Sequence, residues 1–484
     1  MRRLAAASLL PLFLAGCAVG PRYSRPAVAA PSETRGQLGP VESASLADRA
    51  WWDVFQDETL RRLIDEALTN GFDVRIAVAR VEEARANAGI ARSALFPQIQ
   101  YSAQWTRTRE SQFLAPGGAG GTGATLDFHD VNLGATWEID LWGRIRRSSE
   151  AALAQYLATR EALRGVLLSL VSEVATEYFQ LRELDKELEI AKRTSATFQE
   201  TYDLFRRRLE GGAASALETS SAEASLATVS AQVPLLESRI VAQENALSLL
   251  LGRNPGPIDR GSDLSAQSIP PEIPAGLPAD LLQRRPDLRQ VEEQLVAANA
   301  NVGVAMASFF PTISLTGSYG GISPEVSDLF GPGKTWSIAA GLVGPLFQGL
   351  RLKNQYDARV AQWEQAKLSY EQAVTGAFGD VSSAIVAHEK LVEAEKQQAR
   401  AVASLQDAVR LSNDRYLAGL ASYLDVLQAE QQLFPAEIAL AQTRLLRLSN
   451  FVQLYKTLGG GWNIADPGWV RPGPPAPDGN PGRP

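Results

Sequence analysis

The body of this chain is written twice, and no other feature constrains its fold as strongly. A first copy covers residues 51–256, a second covers residues 278–462, and a loop at 257–277 joins them. Three landmarks recur in order. Asn87-Ala88-Gly89 followed by Phe96-Pro97-Gln98-Ile99 matches Asn301-Val302-Gly303 followed by Phe310-Pro311-Thr312-Ile313. Arg208-Leu209-Glu210-Gly211-Gly212-Ala213-Ala214-Ser215 matches Arg415-Tyr416-Leu417-Ala418-Gly419-Leu420-Ala421-Ser422, and Leu251-Gly252 matches Leu458-Gly459. The last two landmarks are equally spaced in both copies. Each copy is therefore expected to build the same supersecondary unit.

The order within a unit follows from local pattern. Residues from Thr59 to Ala94 have helical period, and Phe96-Pro97 stops it, because proline pushes the residue before it out of the helical region. Alternation follows over about 97–140. Ile99, Tyr101, Ala103 and Trp105 interleave with Gln98, Gln100, Ser102, Gln104 and Thr106. Val131, Leu133, Ala135, Trp137 and Ile139 interleave with Asn132, Gly134, Thr136, Glu138 and Asp140. The second copy repeats this over about 311–346, with Ile313, Leu315, Gly317 and Tyr319, then Trp336, Ile338, Ala340 and Leu342. Stretches of about ten residues with period two match membrane β-strands, apolar toward lipid and polar toward water. A small soluble sheet with one face on a core has the same period. Four strands per chain do not close a barrel, and an open edge is not tolerated in lipid. The membrane reading thus requires several chains to share one barrel.

Long helices are expected over about 141–252 and 349–458. From Arg144 to Leu209 there is no proline and a single glycine, Gly165. Apolar residues fall at three- and four-residue steps through Leu163, Leu167, Leu170, Val174, Tyr178, Leu181, Leu184 and Leu188, a narrow stripe of coiled-coil type. Sixty-odd residues at 1.5 Å each reach roughly 90 to 100 Å, far beyond the roughly 10–14 residues of ordinary helices. Turns are expected at Gly211-Gly212 and at Ala418-Gly419. The return helices run through Leu226, Val229, Val233, Leu236, Ile240, Leu247 and Leu250, and through Leu445, Leu448, Val452 and Tyr455. Pro234 and Pro435 should kink or break them.

Both ends of the chain read differently. Met1-Arg2-Arg3, an apolar run to Leu14 and Ala15-Gly16 fit a cleaved secretory signal over residues 1–16. Cys17 then resembles the lipidated cysteine of a bacterial lipobox. It is the single cysteine of 484 residues, so no disulfide forms within the chain. By the same resemblance, Cys17 carries diacylglycerol and an N-acyl chain, and Ala18 after it favours sorting to the outer membrane. Several acyl chains anchor firmly where one does not. Residues 17–50 read as a lipidated linker, and residues 463–484, dense in Pro and Gly, as a disordered tail.

The composition excludes several functions. A net charge of −7 without a basic patch argues against nucleic acid. Outside the signal no eighteen-residue apolar run exists, so no membrane-spanning helix is expected. With two isolated histidines, His129 and His388, and one cysteine, the common zinc patterns are absent. Gly331-Pro332-Gly333-Lys334-Thr335 imitates a phosphate loop, but Asp328 stands where that motif needs its first glycine, and the segment lies between strands. No catalytic residue, metal or soluble cofactor is indicated.

Taken together, the lipobox, Trp51-Trp52 with Phe55, the paired Phe-Pro-x-Ile, Trp142-Gly143-Arg144, and Arg415-Tyr416 with Gly419 and Tyr423-Leu424-Asp425-Val426-Leu427 resemble the outer-membrane efflux proteins. The branch they are most similar to is the nodulation-type lipoproteins of resistance-nodulation-division systems. The resemblance implies a homotrimer with a twelve-stranded barrel in the lipid bilayer of the outer membrane and a helical coiled-coil barrel in the periplasm. It also implies a periplasmic adaptor and an inner-membrane pump as partners, with small molecules exported to the exterior. The periplasmic turns would form the closed entrance, ringed by acids. Here that region is Asp407 to Gly419. Asn413 falls where some relatives carry an acid, Asp414 is its neighbour, and Asp407 lies seven residues earlier on the same face. Arg415, with Arg410, is expected to hold these acids together. Two other classes remain open on the residues alone: an autonomous passive porin and a periplasmic structural adaptor.

Overall fold

The computed structural model describes residues 18–29, 31, 35–36, 45–109, 125–267 and 281–460. The signal segment, Cys17, the Gly-rich stretch between the first two strands and the tail at 463–484 lie outside the described residues. The elements run α1 (Trp51–Val54), α2 (Glu58–Asn70), α3 (Phe72–Ser93), β1 (Gln98–Arg109), β2 (Thr125–Ile139), α4 (Arg144–Glu210), α5 (Ala216–Ser230) and α6 (Gln232–Leu250) in the first repeat. The second has α7 (Leu281–Arg284), α8 (Pro286–Ala307), β3 (Thr312–Ser323), β4 (Lys334–Val343), α9 (Arg351–Leu417) and α10 (Tyr423–Thr457). Helices α4 and α9 are each 67 residues long, about 100 Å at 1.5 Å per residue. Among the described residues, no helix is apolar enough to cross a membrane.

Contacts divide the chain into two units. Of the described residues, the first holds 18–27, 80–109, 125–160 and 290–371 and is built around one antiparallel sheet in the order β1-β2-β3-β4. Its register decides what the sheet presents. Tyr101, Leu133, Tyr319 and Trp336 stand in one cross-strand row, and Ile99, Ala135, Gly317 and Ile338 in another. Trp137, Leu315 and Ala340 form a third, and Ile139, Ile313 and Leu342 a fourth. The rows between them are polar: Gln100, Gly134, Ser318 and Ser337, then Ser102, Asn132, Gly320 and Thr335. Among the described residues nothing covers the apolar face. Tyr101 is 88% exposed, Ile338 81% and Trp336 70%. That much exposed apolar surface on one sheet face marks contact with lipid or another chain.

The strand-to-helix junctions are tightly specified. The Asp140 carboxylate accepts the backbone N–H groups of Ile145 (3.0 Å) and Arg146 (2.8 Å), capping α4. The Trp142 ring stacks on Phe310 at 4.6 Å, and its Nε1 donates to the Pro311 carbonyl at 2.8 Å. The linker after Cys17 differs from a free tether. Val19 N–H donates to the Trp142 carbonyl at 3.1 Å. The Arg25 guanidinium grips Glu292 with two bonds, of 2.7 and 2.5 Å, and the Tyr23 hydroxyl adds a third at 3.0 Å. Ala18 lies so close to Gly143 that a Cβ there would come within 2.7 Å of its Cα. One bidentate arginine, the Tyr23 hydroxyl and one backbone bond hold residues 18–25 in place.

Of the described residues, the second unit holds 28–29, 31, 35–36, 45–79, 161–267, 281–289 and 372–460. Its core takes the stripe expected for α4: Leu170, Val174, Tyr178, Leu181 and Leu184 are buried, against Leu60, Ile64, Leu247, Leu448, Tyr455 and Leu458. Asp57 is its polar hub. It caps α2 through Thr59 N–H (2.9 Å) and Leu60 N–H (3.1 Å) and accepts from the Tyr178 hydroxyl (3.1 Å), Ser262 N–H (2.9 Å) and Gln267 (2.8 Å). The described part of the inter-repeat loop is thus tied to the helices. The prolines act differently. The first return path breaks between α5 and α6, with Pro234 in the first turn of α6, where no helical donor is needed. Pro435 lies inside the unbroken α10.

Candidate functional site at the helical hairpin tips

Both long hairpins turn by the same device, which explains why that landmark recurs. At the first tip Gly212 adopts φ +73°, with Gly212 N–H donating to Leu209 O (3.0 Å) and Ala213 N–H to Arg208 O (2.7 Å). At the second, Gly419 adopts φ +72°, with Gly419 N–H donating to Tyr416 O (3.0 Å) and Leu420 N–H to Arg415 O (2.9 Å). This is the Schellman ending, in which a left-handed glycine lets the last carbonyls find donors. Gly211 precedes it in the first tip. The return helices start on serines: Ser215 N–H donates to Glu218 (2.8 Å) and Ser422 N–H to Asp425 (3.0 Å).

An aromatic cluster joins the two hairpin ends. Phe198, Phe205, Val229, Tyr423, Val426 and Leu427 are buried together. Tyr423 meets Phe205 edge-on at 4.5 Å and Tyr416 at 5.4 Å, and its hydroxyl donates to Thr201 Oγ1 at 3.0 Å. The Arg208 guanidinium lies 5.5 Å over the Tyr416 ring and bonds the Tyr416 hydroxyl. Further along the same helices Glu437 takes Arg193 of α4, and Gln406 of α9 at 3.1 Å. The sequence marks Arg208 and Tyr416 only as repeat landmarks. Their contact joins one repeat to the other, so no pattern within either repeat reveals it.

The expected gate residues fall on exposed surface near the second tip. Arg410 sits between the acids, 3.4 Å from Asp407 and 3.5 Å from Asp414. Arg415 was expected to hold these acids; instead its guanidinium donates to the Leu420 carbonyl of the turn at 3.4 Å. The difference follows from helix geometry. Arg410 is three residues after Asp407 and four before Asp414, on their face. Arg415 follows Asp414 directly and points elsewhere. Asn413 is exposed. Among the described residues no acidic or histidine cluster suits a metal.

One acid near the tips is perturbed. Burial pushes the Glu430 carboxyl up to about 7, opposed by a hydrogen bond with Tyr423. The folded state then binds a proton that the unfolded chain releases near pH 4.5. Stability from this group is full below that pH and is lost as pH rises through about 7. Glu430→Gln is expected to match the wild type in thermal midpoint at pH 5 and to melt at a higher temperature than the wild type at pH 8. Thermal melts of both proteins at the two pH values check this. A difference independent of pH contradicts it.

The chain's relatives agree with this geometry. Residues 63–253 and 277–460 match the outer membrane efflux protein family, one segment per repeat. The solvent efflux pump outer membrane protein SrpC of Pseudomonas putida is 37% identical over 94% of this chain and 97% of its own. The cation efflux system protein CusC of Escherichia coli K12 is 33% identical over 93% and 97%. The open-state MtrE outer membrane channel of Neisseria gonorrhoeae superposes with a TM-score of 0.82 at 34% identity, covering 92% of this chain and 98% of that one. The CmeC outer membrane channel of Campylobacter jejuni gives 0.87 at 25% identity, over 93% and 96%. With two repeats, a four-stranded sheet bearing apolar rows and paired 67-residue helices, this chain belongs to the outer membrane efflux protein family, whose members are channel components rather than enzymes.

Proposed function

We propose that three copies of this chain form the outer-membrane duct of a tripartite efflux system for small toxic molecules. The observation that carries the reading is the sheet: one apolar face, one polar face and two free edges, β1 and β4. Open edges are not stable in lipid, and three four-stranded sheets make a twelve-stranded barrel with a polar lumen. A passive porin closes its barrel from one chain and gives no reason for two 67-residue helices. A periplasmic adaptor gives none for the apolar rows. The helical tips are the end that meets a periplasmic adaptor, and energy comes from an inner-membrane pump. Solvents, antibiotics and cations are the substrate classes suggested by the relatives' names. The mass of the purified, detergent-solubilised protein tests the assembly: three chains are expected, and a stable monomer overturns it.

In this reading Cys17 carries diacylglycerol and an N-acyl chain. Ala18 and Val19 rest on the β2–α4 junction, so the lipid enters the membrane beside the base of the sheet. Cys17→Ser is expected to abolish incorporation of a radiolabelled fatty acid while the helical unit still folds. Equal labelling of both proteins contradicts the anchor. Asp407 and Asp414, spaced by Arg410, are proposed to line the entrance and to favour cations there, as charged rings do in channels.

A further inference from the structure

We propose that the outer end of the sheet's apolar face binds the phosphate groups of the outer-leaflet glycolipid through Arg107, Arg109 and Lys334. This site rests on the membrane barrel and the trimer proposed above. The strand register fixes which residues share the face. Two residues beyond the row of Tyr101, Leu133, Tyr319 and Trp336 comes a row of Ala103, Val131, Gly321 and Lys334. Next on β1 and β2 stands Trp105 opposite His129, then Arg107 opposite Asp127, and last Arg109 opposite Thr125. Over 99–105, 131–139, 313–323 and 336–342 the same face carries no Asp, Glu, Lys or Arg. Its cations therefore begin where its apolar band ends, and only at the end of the hairpin turns. The other end of each strand leads into helices that the reading above places in the periplasm, so the hairpin turns lie outside.

The three cations are available to a ligand. Arg107, Arg109 and Lys334 are exposed, and Asp127 holds Arg107 only loosely, at 3.7 Å. Among the described residues Arg109 and Lys334 form no ion pair. The Lys334 ammonium lies 5.2 Å over the Tyr319 ring, an aromatic of the apolar rows. Its charge is thereby held at the edge of the apolar band. Asp127 is the one described acid on this face. Asp130 belongs to the polar face, and Glu325 and Asp328 lie in the β3–β4 turn.

That turn is a fixed ledge. Ile322 N–H donates to Gly333 O and Gly333 N–H to Asp328 O, both at 2.9 Å, and His129 Nδ1 donates to Pro324 O at 3.2 Å. A Cβ on Gly321 would overlap the Leu329 carbonyl. Gly321 stands on the apolar face, so the ledge folds over that face, in the row of Lys334.

The occupant follows from the order of these features. Acyl chains cover the apolar rows, and the headgroup above them meets three cations and one acid per chain. A zwitterionic headgroup brings its own cation and gains little there. A glycolipid with phosphates directly above its acyl chains matches both the charge and its depth, because guanidinium groups bind phosphate through paired, charge-assisted bonds and basic clusters beside an apolar surface select anionic lipids. Strands β1 and β4 are the two edges of the sheet. In the closed barrel Lys334 of one copy and the two arginines of the next therefore flank the same subunit boundary.

Fluorescently labelled bisphosphorylated lipid A, added to the purified, detergent-solubilised trimer, is the probe. Wild type is expected to retain it through gel filtration, and raised salt to release it. The combined variant Arg107→Gln, Arg109→Gln and Lys334→Gln should retain about a fifth as much or less. Arg107→Lys, Arg109→Lys and Lys334→Arg together should keep most of the binding. Removing three charges at the helical end, by Arg351→Gln, Lys353→Gln and Arg359→Gln, should leave it unchanged. A comparison on wild type alone needs no variant to fold: the monophosphorylated lipid should bind several-fold more weakly. Equal retention by wild type and the rim variant, both with the mass of three chains, overturns the site and leaves the trimer standing. Equal retention of the two lipid forms by wild type does the same, since acyl packing alone then holds them. A wild-type mass of one chain overturns the trimer and the site with it.

Discussion

Arginine at Leu133 or Ile338 is expected to remove most of the assembled, detergent-resistant oligomer from the outer membrane. Both residues stand in the apolar rows, and Ile338 is 81% exposed without a protein neighbour to cover it. A charged side chain on the lipid face of a barrel costs about 2 to 4 kcal/mol near the midplane. Three chains carry the substitution three times, and most proteins have only about 5 to 15 kcal/mol to lose. Arginine at Asn132 or Ser337, one residue along on the other face, should leave the oligomer nearly unchanged, because those positions face water. The amount of oligomer resolved on unheated gels gives the answer. Equal losses on both faces would mean that the apolar rows do not face lipid.

Tyr423→Ala is the second large expected effect. The ring is buried at the meeting point of the two hairpins, edge-on to Phe205 and Tyr416. Removing a buried aromatic ring costs about 3 kcal/mol or more. Tyr423→Phe keeps the ring and loses only the hydroxyl with its bonds to Thr201 and Glu430, about 1 kcal/mol each. If the tips close the duct at rest, the alanine variant should make cells sensitive to large hydrophilic antibiotics that the outer membrane normally excludes, and the phenylalanine variant should do so far less. Unchanged sensitivity with normal amounts of trimer would place the closure away from this cluster.

The sequence exposed those parts of the fold that depend on local period. The strands reveal themselves through Ile99, Tyr101, Leu133 and Ile338 because each face repeats every two residues. The helices do so through Val174, Tyr178 and Leu181, because nothing between Arg144 and Glu210 stops them. The tips were legible because a left-handed glycine followed by a serine cap leaves a fixed spacing in both repeats. What stayed hidden joins residues distant in the chain. Arg25 reaches Glu292, Arg208 reaches Tyr416, and Asp57 collects Tyr178, Ser262 and Gln267. Such pairs carry no period and leave no trace in composition, which is why the segment after Cys17 reads only as a linker. Within one chain Arg410 rather than Arg415 reaches the two acids for a different reason. Arg415 is nearer to Asp414 in sequence, but only a step of three or four residues shares a helix face.

The central claim is that this chain conducts small molecules out of the cell. Its most direct test is accumulation of a fluorescent efflux substrate in a strain lacking the chain, with the wild-type gene restored in parallel. Deletion is expected to raise accumulation severalfold, and the wild-type chain to restore the low level only while the inner-membrane pump is energised. Accumulation that does not change on deletion, across solvent, antibiotic and cation substrates alike, would contradict the account.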